Sequence, residues 1–171
     1  MAQTRTATSA ETERFSTAAR GATDHARTRT VRILLTIVAF EFFGPILRDS
    51  NASHALNPTW VGHARVHLVW LLAFMFFSGI ANLYLVWFRR PVDVRDLWLS
   101  AAWQSCNLGG FWVAYVLCPL YDGAITVPGI HTHVLGMDEN VFVFLVLSVV
   151  MAVALVLLQR AGQRSGLHGA S

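Results

Sequence analysis

The sequence predicts an all-α fold, an integral membrane four-helix bundle with both the N and C termini cytoplasmic. Apolar residues make up 54% of the 171-residue chain and charged residues only 13%, whereas soluble domains usually carry about 25% charged residues. Four long apolar segments each have roughly the 17 to 25 residues that a membrane-spanning helix needs. Helices are expected there because the hydrocarbon offers no water to satisfy backbone groups.

The chain divides into a tail, a four-helix domain and a second tail. Residues 1–30 are rich in Thr, Ala, Ser and Arg, which predicts a flexible N-terminal tail and no secretory signal. Residues 31–159 form the predicted transmembrane domain, and residues 160–171 form the C-terminal tail. Because Glu41 and Pro45 interrupt the first span, we expect its outer end to be irregular. The predicted spans are residues 31–47, 66–88, 97–120 and 141–158.

Arginine sets the predicted orientation. All thirteen basic residues are arginine, and the absence of lysine excludes Schiff-base chemistry on a lysine. Most arginines lie before the first span, after the second and after the fourth, so the positive-inside rule makes that side cytoplasmic. We therefore expect a plasma-membrane protein with extracytoplasmic loops at residues 48–65 and 121–140. The scattered arginines argue against nucleic-acid binding. The expected partners are membrane lipids and a lipophilic small molecule, and a homo-oligomer stays open.

Two histidines stand at the start of the second apolar segment. His63 and His67 are four residues apart, so on a helix they share one face. This is a recurring spacing of metal ligands, although the Glu of the zinc-protease motif is missing between them. Arg65 points away from the pair and is suited to an anionic substrate group or a lipid phosphate. The alternative is a pair of interfacial histidines satisfied by loop carbonyls.

A second histidine pair precedes the fourth span. His131 and His133 alternate, so on an extended segment they point the same way. Together with His63 and His67 they would supply four imidazoles, a set suited to zinc, copper or iron. This metal site requires the two outer loops to fold together. Asp138 is interpreted as the N-cap of the last helix, since an apolar run follows it.

Glu41 is the third candidate, because a carboxylate at membrane depth is costly and marks a functional site by default. It is suited to general acid chemistry or proton carriage. The alternative is a Glu hydrogen-bonded between helices, to Asn82, Gln104 or Asn107. We predict Glu41, His63, His67 and Asn107 as catalytic residues. The predicted substrate-binding residues are Arg65, Trp60, Trp70, Trp103, Gln104, Asn82 and Tyr115. The alternative role for the polar residues of the third span is contact between helices.

Residues 49–67, DSNASHALNPTWVGHARVH, resemble a motif of small uncharacterised multi-span membrane proteins of bacteria and fungi. The pattern is Asp-x-Asn-x-Ser/Thr-His, then Asn-Pro-x-Trp, then His-Ala-Arg-x-His. Its matching positions here are Asp49, Asn51, Ser53, His54, Asn57, Pro58, Trp60, His63, Ala64, Arg65 and His67. The resemblance implies a site without naming a reaction. A looser architectural likeness is to the emopamil-binding type of membrane sterol isomerase, by analogy of fold alone.

Three functions compete on these observations. The favoured one is an enzyme that isomerises or cyclises a lipophilic molecule by acid–base chemistry, in a pocket at the extracytoplasmic side. With a metal, the histidines would instead support oxidation or hydrolysis. The second is a proton-coupled transporter that uses Glu41. The third is a His-rich metal-binding or accessory membrane protein, which explains the histidines and leaves Glu41 without a role.

Overall fold

The computed structural model describes residues 3–91, 93–126 and 133–166, and helices dominate these stretches. The predicted all-α fold is confirmed. The elements, in chain order, are α1 (Gln3–Asp49), α2 (Gly62–Leu83), a π-helical turn (Tyr84–Phe88), α3 (Val94–Leu117), a 3₁₀ turn (Cys118–Tyr121), β1 (His133–Val134), β2 (Met137–Asp138) and α4 (Glu139–Gly166). The two short strands pair antiparallel as a hairpin that leads into α4.

Within the described ranges, three helical segments are long and apolar enough to cross a membrane: Arg14–Asp49, Gly62–Phe88 and Glu139–Ala161. Large apolar side chains such as Phe74, Phe77 and Val149 are exposed on them, as expected for surfaces that meet lipid. The sequence predicts four spans, but α3 is not among these three. Its polar side chains, Gln104 among them, lower its mean hydropathy.

Helix α1 is much longer than its apolar part. It is continuous from Gln3 to Asp49, and this differs from the flexible tail predicted for residues 1–30. The composition of that stretch disfavours a packed core, but it does not oppose a helix. The span already supplies the helical nucleus, so extending it toward the N terminus needs only propagation. Arg27 and Asp24, three residues apart, add an ion pair of 3.4 Å on the helix surface.

Pro45 lies inside α1 without ending it. The irregular outer end predicted from this proline is not seen, because the helix continues to Asp49. The proline removes one backbone hydrogen bond from the helix. Pro45 has no N–H to donate to the carbonyl oxygen of Glu41, four residues earlier.

Helices α1 and α2 run antiparallel and are joined where α2 changes to the π-helical turn. Arg32 on α1 donates from Nε to the carbonyl of Val86 at 2.7 Å and from a terminal nitrogen to the carbonyl of Trp87 at 3.4 Å. The same guanidinium lies 4.2 Å from the centre of the Trp87 ring. The indole N–H of Trp87 donates in turn to Thr36 at 2.7 Å. These contacts satisfy carbonyls at a helix end that lack partners within the helix.

The apolar core lies mainly between α1, α3 and α4. Its fully buried members include Leu35, Leu97 and Leu158, one from each helix. Farther along α1, Phe43 packs its ring directly over Gly79 of α2, where a Cβ atom would have no room. The absent side chain of Gly79 thus lets α1 and α2 approach closely at the level of Glu41.

Contacts at the start of α4 join it to the end of α1. The backbone N–H of Asn140 donates to Asp138 at 2.8 Å, which confirms the predicted capping role of Asp138. Arg48, near the end of α1, forms an ion pair of 2.9 Å with Glu139. The last turn of α1 and the first turn of α4 are therefore neighbours.

Candidate functional site

A cluster of buried polar side chains lies between α2 and α3. Asn82 accepts a hydrogen bond on Oδ1 from the Ser100 hydroxyl at 2.7 Å and a longer one from Gln104 Nε2 at 3.4 Å. Its own amide donates to the Ser78 carbonyl at 2.9 Å. Asn82 and Gln104 are completely buried. Their mutual hydrogen bonds match the alternative of polar contact between helices that the sequence left open.

The cluster is not fully satisfied. Gln104 Oε1 and the Ser78 hydroxyl are buried and have no hydrogen-bond partner among the described residues. Nearly all buried polar groups in proteins find such a partner. The buried region between α2 and α3 therefore has an amide oxygen and a hydroxyl that are available for further hydrogen bonds.

Glu41 extends this polar region onto α1. The residue is 3% exposed, and neither carboxyl oxygen has a hydrogen-bond partner in the described part of the chain. Asn107 on α3 is its polar neighbour and interacts with the carboxyl group, but outside hydrogen-bonding geometry. Asn82 and Gln104 bond to each other, so Asn107 is the amide of the alternative interpretation that neighbours the Glu41 carboxyl group. Glu41 therefore presents two buried carboxyl oxygens that no described residue hydrogen-bonds.

His63 and His67 lie in the first turns of α2. The helix begins at Gly62, so the two residues share one exposed face as predicted. Their Nε2 atoms are 3.0 Å apart. Their ring centres are 4.5 Å apart and the ring planes are nearly perpendicular, at 89°. Trp70 continues the row, with its ring centre 6.1 Å from that of His67.

The loop between α1 and α2 is held together by its own side chains. Asn51 accepts from the N–H and the hydroxyl of Ser53 at 2.9 Å and 2.6 Å. Asn57 accepts from the N–H and the hydroxyl of Thr59 at 2.9 Å and 2.7 Å. Both are Asx-turns, in which a side-chain oxygen bonds to the chain two residues on. The motif residues in this loop thus fold a compact turn-rich segment.

His54 occupies the centre of this loop. Its Nδ1 lies 2.7 Å from the Ser53 hydroxyl and 3.8 Å from an Asp49 carboxylate oxygen. The ring of Trp60 meets it edge to face, with ring centres 5.9 Å apart. The structure therefore places Trp60, a predicted substrate residue, against the loop histidine.

Two apolar grooves open on the surface of the N-terminal half of α2. The first has a volume of about 540 Å³ and includes Arg65, Trp70 and Val66. The second, of about 390 Å³, is lined by Phe76, Phe77 and residues of the loop and α1, and both grooves share Val69 and Ala73. Neither groove includes Glu41 or the two histidines of α2. The grooves thus hold Arg65 and Trp70 but not the predicted catalytic residues, although the Trp70 ring also lies next to His67.

No known protein family, characterised protein or solved structure matches the chain.

The structure describes three of the four histidines predicted as a metal site, namely His63, His67 and His133. No group of three or more His, Cys, Asp or Glu side chains in the described ranges is arranged to hold a metal ion. His133 is exposed on β1, whereas His131 lies outside the described residues. Convergence of all four imidazoles stays a prediction. The arrangement in place is the pair on α2.

Two aromatic residues that were predicted to bind substrate, Trp103 and Tyr115, lie on α3. Tyr115 is exposed and contacts the rings of Phe111 and Trp112 on its own helix, with ring centres 6.4 Å and 5.9 Å apart. Phe111 stacks on Phe144 of α4 at 3.8 Å. Tyr115 therefore belongs to the contact between α3 and α4, while Trp103 is half-buried.

Sequence reasoning missed Ser100 among the residues that shape the buried region. Ser78 and Ser100 stand four residues before Asn82 and Gln104, so each pair shares a helix face. That spacing was a usable signal. Pro45, which the sequence already marked as an interruption of the first span, has no N–H to donate to the carbonyl of Glu41 four residues earlier.

Proposed function

We propose that this chain is an integral membrane enzyme that isomerises or cyclises a lipophilic molecule by acid–base chemistry. The observation that carries the proposal is the carboxyl group of Glu41, buried between helices with no hydrogen-bond partner among the described residues. Ionisable residues inside a membrane bundle are costly and mark functional sites. A group without a structural partner is available to a substrate.

The proposed reaction transfers protons and leaves the composition of the substrate unchanged. Glu41 donates its proton to one carbon of a carbon–carbon double bond, and a carbocation forms at the other carbon. In an isomerisation, the Glu41 carboxylate then removes a proton from an adjacent carbon, and the double bond moves. In a cyclisation, a second double bond attacks the cation before a proton is lost. Carboxylic acids are suited to this general acid–base role.

Two amides of α3 fit a supporting role. Asn107 contacts the carboxyl group, and Gln104 offers an oxygen without a partner. We propose that these dipoles stabilise the positive charge that develops on the substrate, as preorganised polar groups do in other active sites. His63 and His67, predicted as catalytic, lie on the exposed start of α2. We place them outside the proton-transfer step.

The proposed substrate enters from the lipid side. The two grooves on α2 are apolar and carry one charge, that of Arg65, so they suit an amphiphile with an anionic head and a hydrocarbon body. Phe76 lines the second groove and contacts Phe43 edge to face, with ring centres 6.3 Å apart. Phe43 is two residues from Glu41. In this proposal, Phe43 moves from Gly79 to connect the groove with the carboxyl group.

The proposed topology keeps all four helices in the membrane, with both termini cytoplasmic and the histidine-bearing loops outside. Polar α3 would cross inside the bundle, where its amides face α1 and α2. Arg32 contacts the end of α2, next to Arg89 and Arg90. The arginine-rich ends of two helices therefore lie together, which supports a single cytoplasmic face.

The proposal is tested by hydrogen exchange into lipids. Purified protein in detergent is incubated in D₂O with a total membrane lipid extract, and mass spectrometry follows deuterium bound to carbon. We expect deuterium in at least one lipid with the wild-type protein and none with Glu41→Gln, which keeps the shape but cannot transfer the proton. Cys106→Ala, at an exposed position of α3, is the control. Equal labelling by wild type and Glu41→Gln would refute the proposal.

A proton-coupled transporter is the second candidate, and one observation favours it. Glu41 is nearly inaccessible and lies outside both grooves, as expected for a carrier in an occluded state. Proteoliposomes with an imposed pH gradient distinguish the two functions. A transporter would acidify the lumen with its substrate and leave lipids unlabelled in D₂O, whereas conversion in detergent without a gradient would exclude this candidate.

A further inference from the structure

We propose that His63 and His67 form a two-nitrogen chelate for a divalent transition metal ion, with Cu²⁺ and Ni²⁺ preferred over Zn²⁺. The site lies on the exposed face of the first turns of α2, and water completes the coordination. It uses neither Glu41 nor the grooves, so it stands independently of the proposed enzyme activity.

The first argument is the direction of the two rings. The Nε2 atoms are 3.0 Å apart while the ring centres are only 4.5 Å apart. For symmetric rings, these distances make the two lone-pair axes converge at a point about 2 Å from each nitrogen, the length of a metal–imidazole bond. A linear N–H···N hydrogen bond between the rings would instead separate their centres by about 5 Å or more. At 3.0 Å the two nitrogens are within hydrogen-bond distance, and the same ring arrangement lets both lone pairs reach one ion.

The second argument concerns the choice of metal. Nitrogens 3.0 Å apart with bonds of about 2 Å subtend an angle of roughly 90° at the ion. That is the angle between neighbouring ligands in tetragonal or octahedral coordination, which Cu²⁺ and Ni²⁺ adopt. Tetrahedral Zn²⁺ would need the nitrogens roughly 0.3 to 0.4 Å farther apart. Copper also stands highest in the general affinity order of divalent ions.

The third argument is the surroundings of the pair. Both imidazoles are exposed, so an ion and its water ligands reach them without opening the bundle. Arg65 lines the groove with Val66 and Val69, whereas neither histidine does. Its charge therefore lies on another face of α2 and opposes cation binding less than the sequence order HARVH suggests. The Trp70 ring next to His67 supplies a fluorescent reporter.

The test uses the full chain in detergent, stripped of metal with a chelator and titrated with Cu²⁺, Ni²⁺ or Zn²⁺. Calorimetry gives the affinities, quenching of tryptophan fluorescence reports the site, and electron paramagnetic resonance counts the nitrogens on copper. We expect one site with two imidazole nitrogens and the order Cu²⁺ over Ni²⁺ over Zn²⁺. Either His63→Gln or His67→Gln should weaken copper binding roughly a hundredfold, because the second nitrogen then no longer binds intramolecularly.

Matched variants separate this pair from the other histidines. In the double variant His67→Leu with Leu68→His, the histidine count is unchanged but the rings leave the common face, so copper binding should fall as in His67→Gln. His25→Gln, the double variant His131→Gln with His133→Gln, and Glu41→Gln should each bind copper as wild type does. The proposal is overturned if the transposed variant keeps wild-type affinity, or if His25→Gln or the loop variant weakens binding as much as His63→Gln.

Discussion

The buried polar cluster and the loop between α1 and α2 are both rich in amides and hydroxyls, but these groups hydrogen-bond differently in the two regions. In the loop, Asn51 and Asn57 bond to residues two positions away, and the segment satisfies itself. In the core, Asn82 needs partners on α3, and Glu41 has no hydrogen-bond partner among the described residues. A polar group at a surface stays hydrated, whereas burying one without a hydrogen bond costs free energy. The loop thus satisfies its polar groups locally, whereas the buried region keeps polar groups that no described residue satisfies.

The largest expected effect comes from Glu41→Leu, which removes the unpaired carboxyl group. If Glu41 transfers the proton, this variant loses about 10² to 10⁴-fold in the rate of lipid deuteration. Its free energy of unfolding should nevertheless rise by about 1 to 3 kcal/mol, because a buried polar group without a partner disappears. Thermal unfolding in detergent measures the second quantity. A less stable Glu41→Leu protein would show that the carboxyl group stabilises the fold. That result would contradict the contrast between Glu41 and the loop.

Asn82→Ala should have the next largest effect, and in the opposite direction on stability. The substitution removes the acceptor of the Ser100 hydroxyl and one of the two acceptors of the Gln104 amide. We therefore expect the free energy of unfolding to fall by about 2 to 3 kcal/mol. Asn140→Ala, at an exposed position, serves as the control. Equal melting temperatures for the two variants would mean that α2 and α3 do not depend on this cluster.

Arg32→Lys tests the join between α1 and the end of α2. Lysine keeps the charge but not the two-point contact to the carbonyls of Val86 and Trp87. We expect a loss of about 1 to 2 kcal/mol in unfolding free energy, with Arg29→Lys at an exposed position as the comparison. A loss as large in Arg29→Lys would assign the effect to charge or helix propensity in general.

His63→Gln is expected to change stability least in metal-free protein. The residue is exposed on α2, and surface substitutions usually stay within about 0.5 kcal/mol. The melting temperatures of wild type and variant should therefore coincide after treatment with a chelator and separate when Cu²⁺ is added, since binding to the folded state stabilises it. A variant that already melts much earlier without metal would place His63 among the folding residues.

Local patterns predicted much of this architecture. The positions of the four helices, the shared face of His63 and His67, and the capping oxygen of Asp138 all follow from spacing along the chain. Hydropathy also singled out Glu41 as unusual. These features depend on neighbours within about one helical turn, and such neighbours are visible in a sequence.

Other features depend on which helices meet, and the sequence did not contain them in readable form. The choice of Asn82 as the partner of Gln104, with Glu41 left out, is decided by the packing of three helices. The helical form of residues 3–30 was missed for a different reason. Composition reports whether a segment can bury a core, and it does not report whether an adjoining helix extends through that segment.

The length of α1 has a hydrodynamic consequence. At about 1.5 Å per residue, its 47 residues extend about 70 Å, more than twice the roughly 30 Å thickness of bilayer hydrocarbon. With residues 31–49 in the membrane, the preceding part of the helix reaches about 40 Å into the surrounding water. Such a particle tumbles as a rod attached to a micelle, and its rotational correlation time and Stokes radius exceed those of a compact bundle of equal mass.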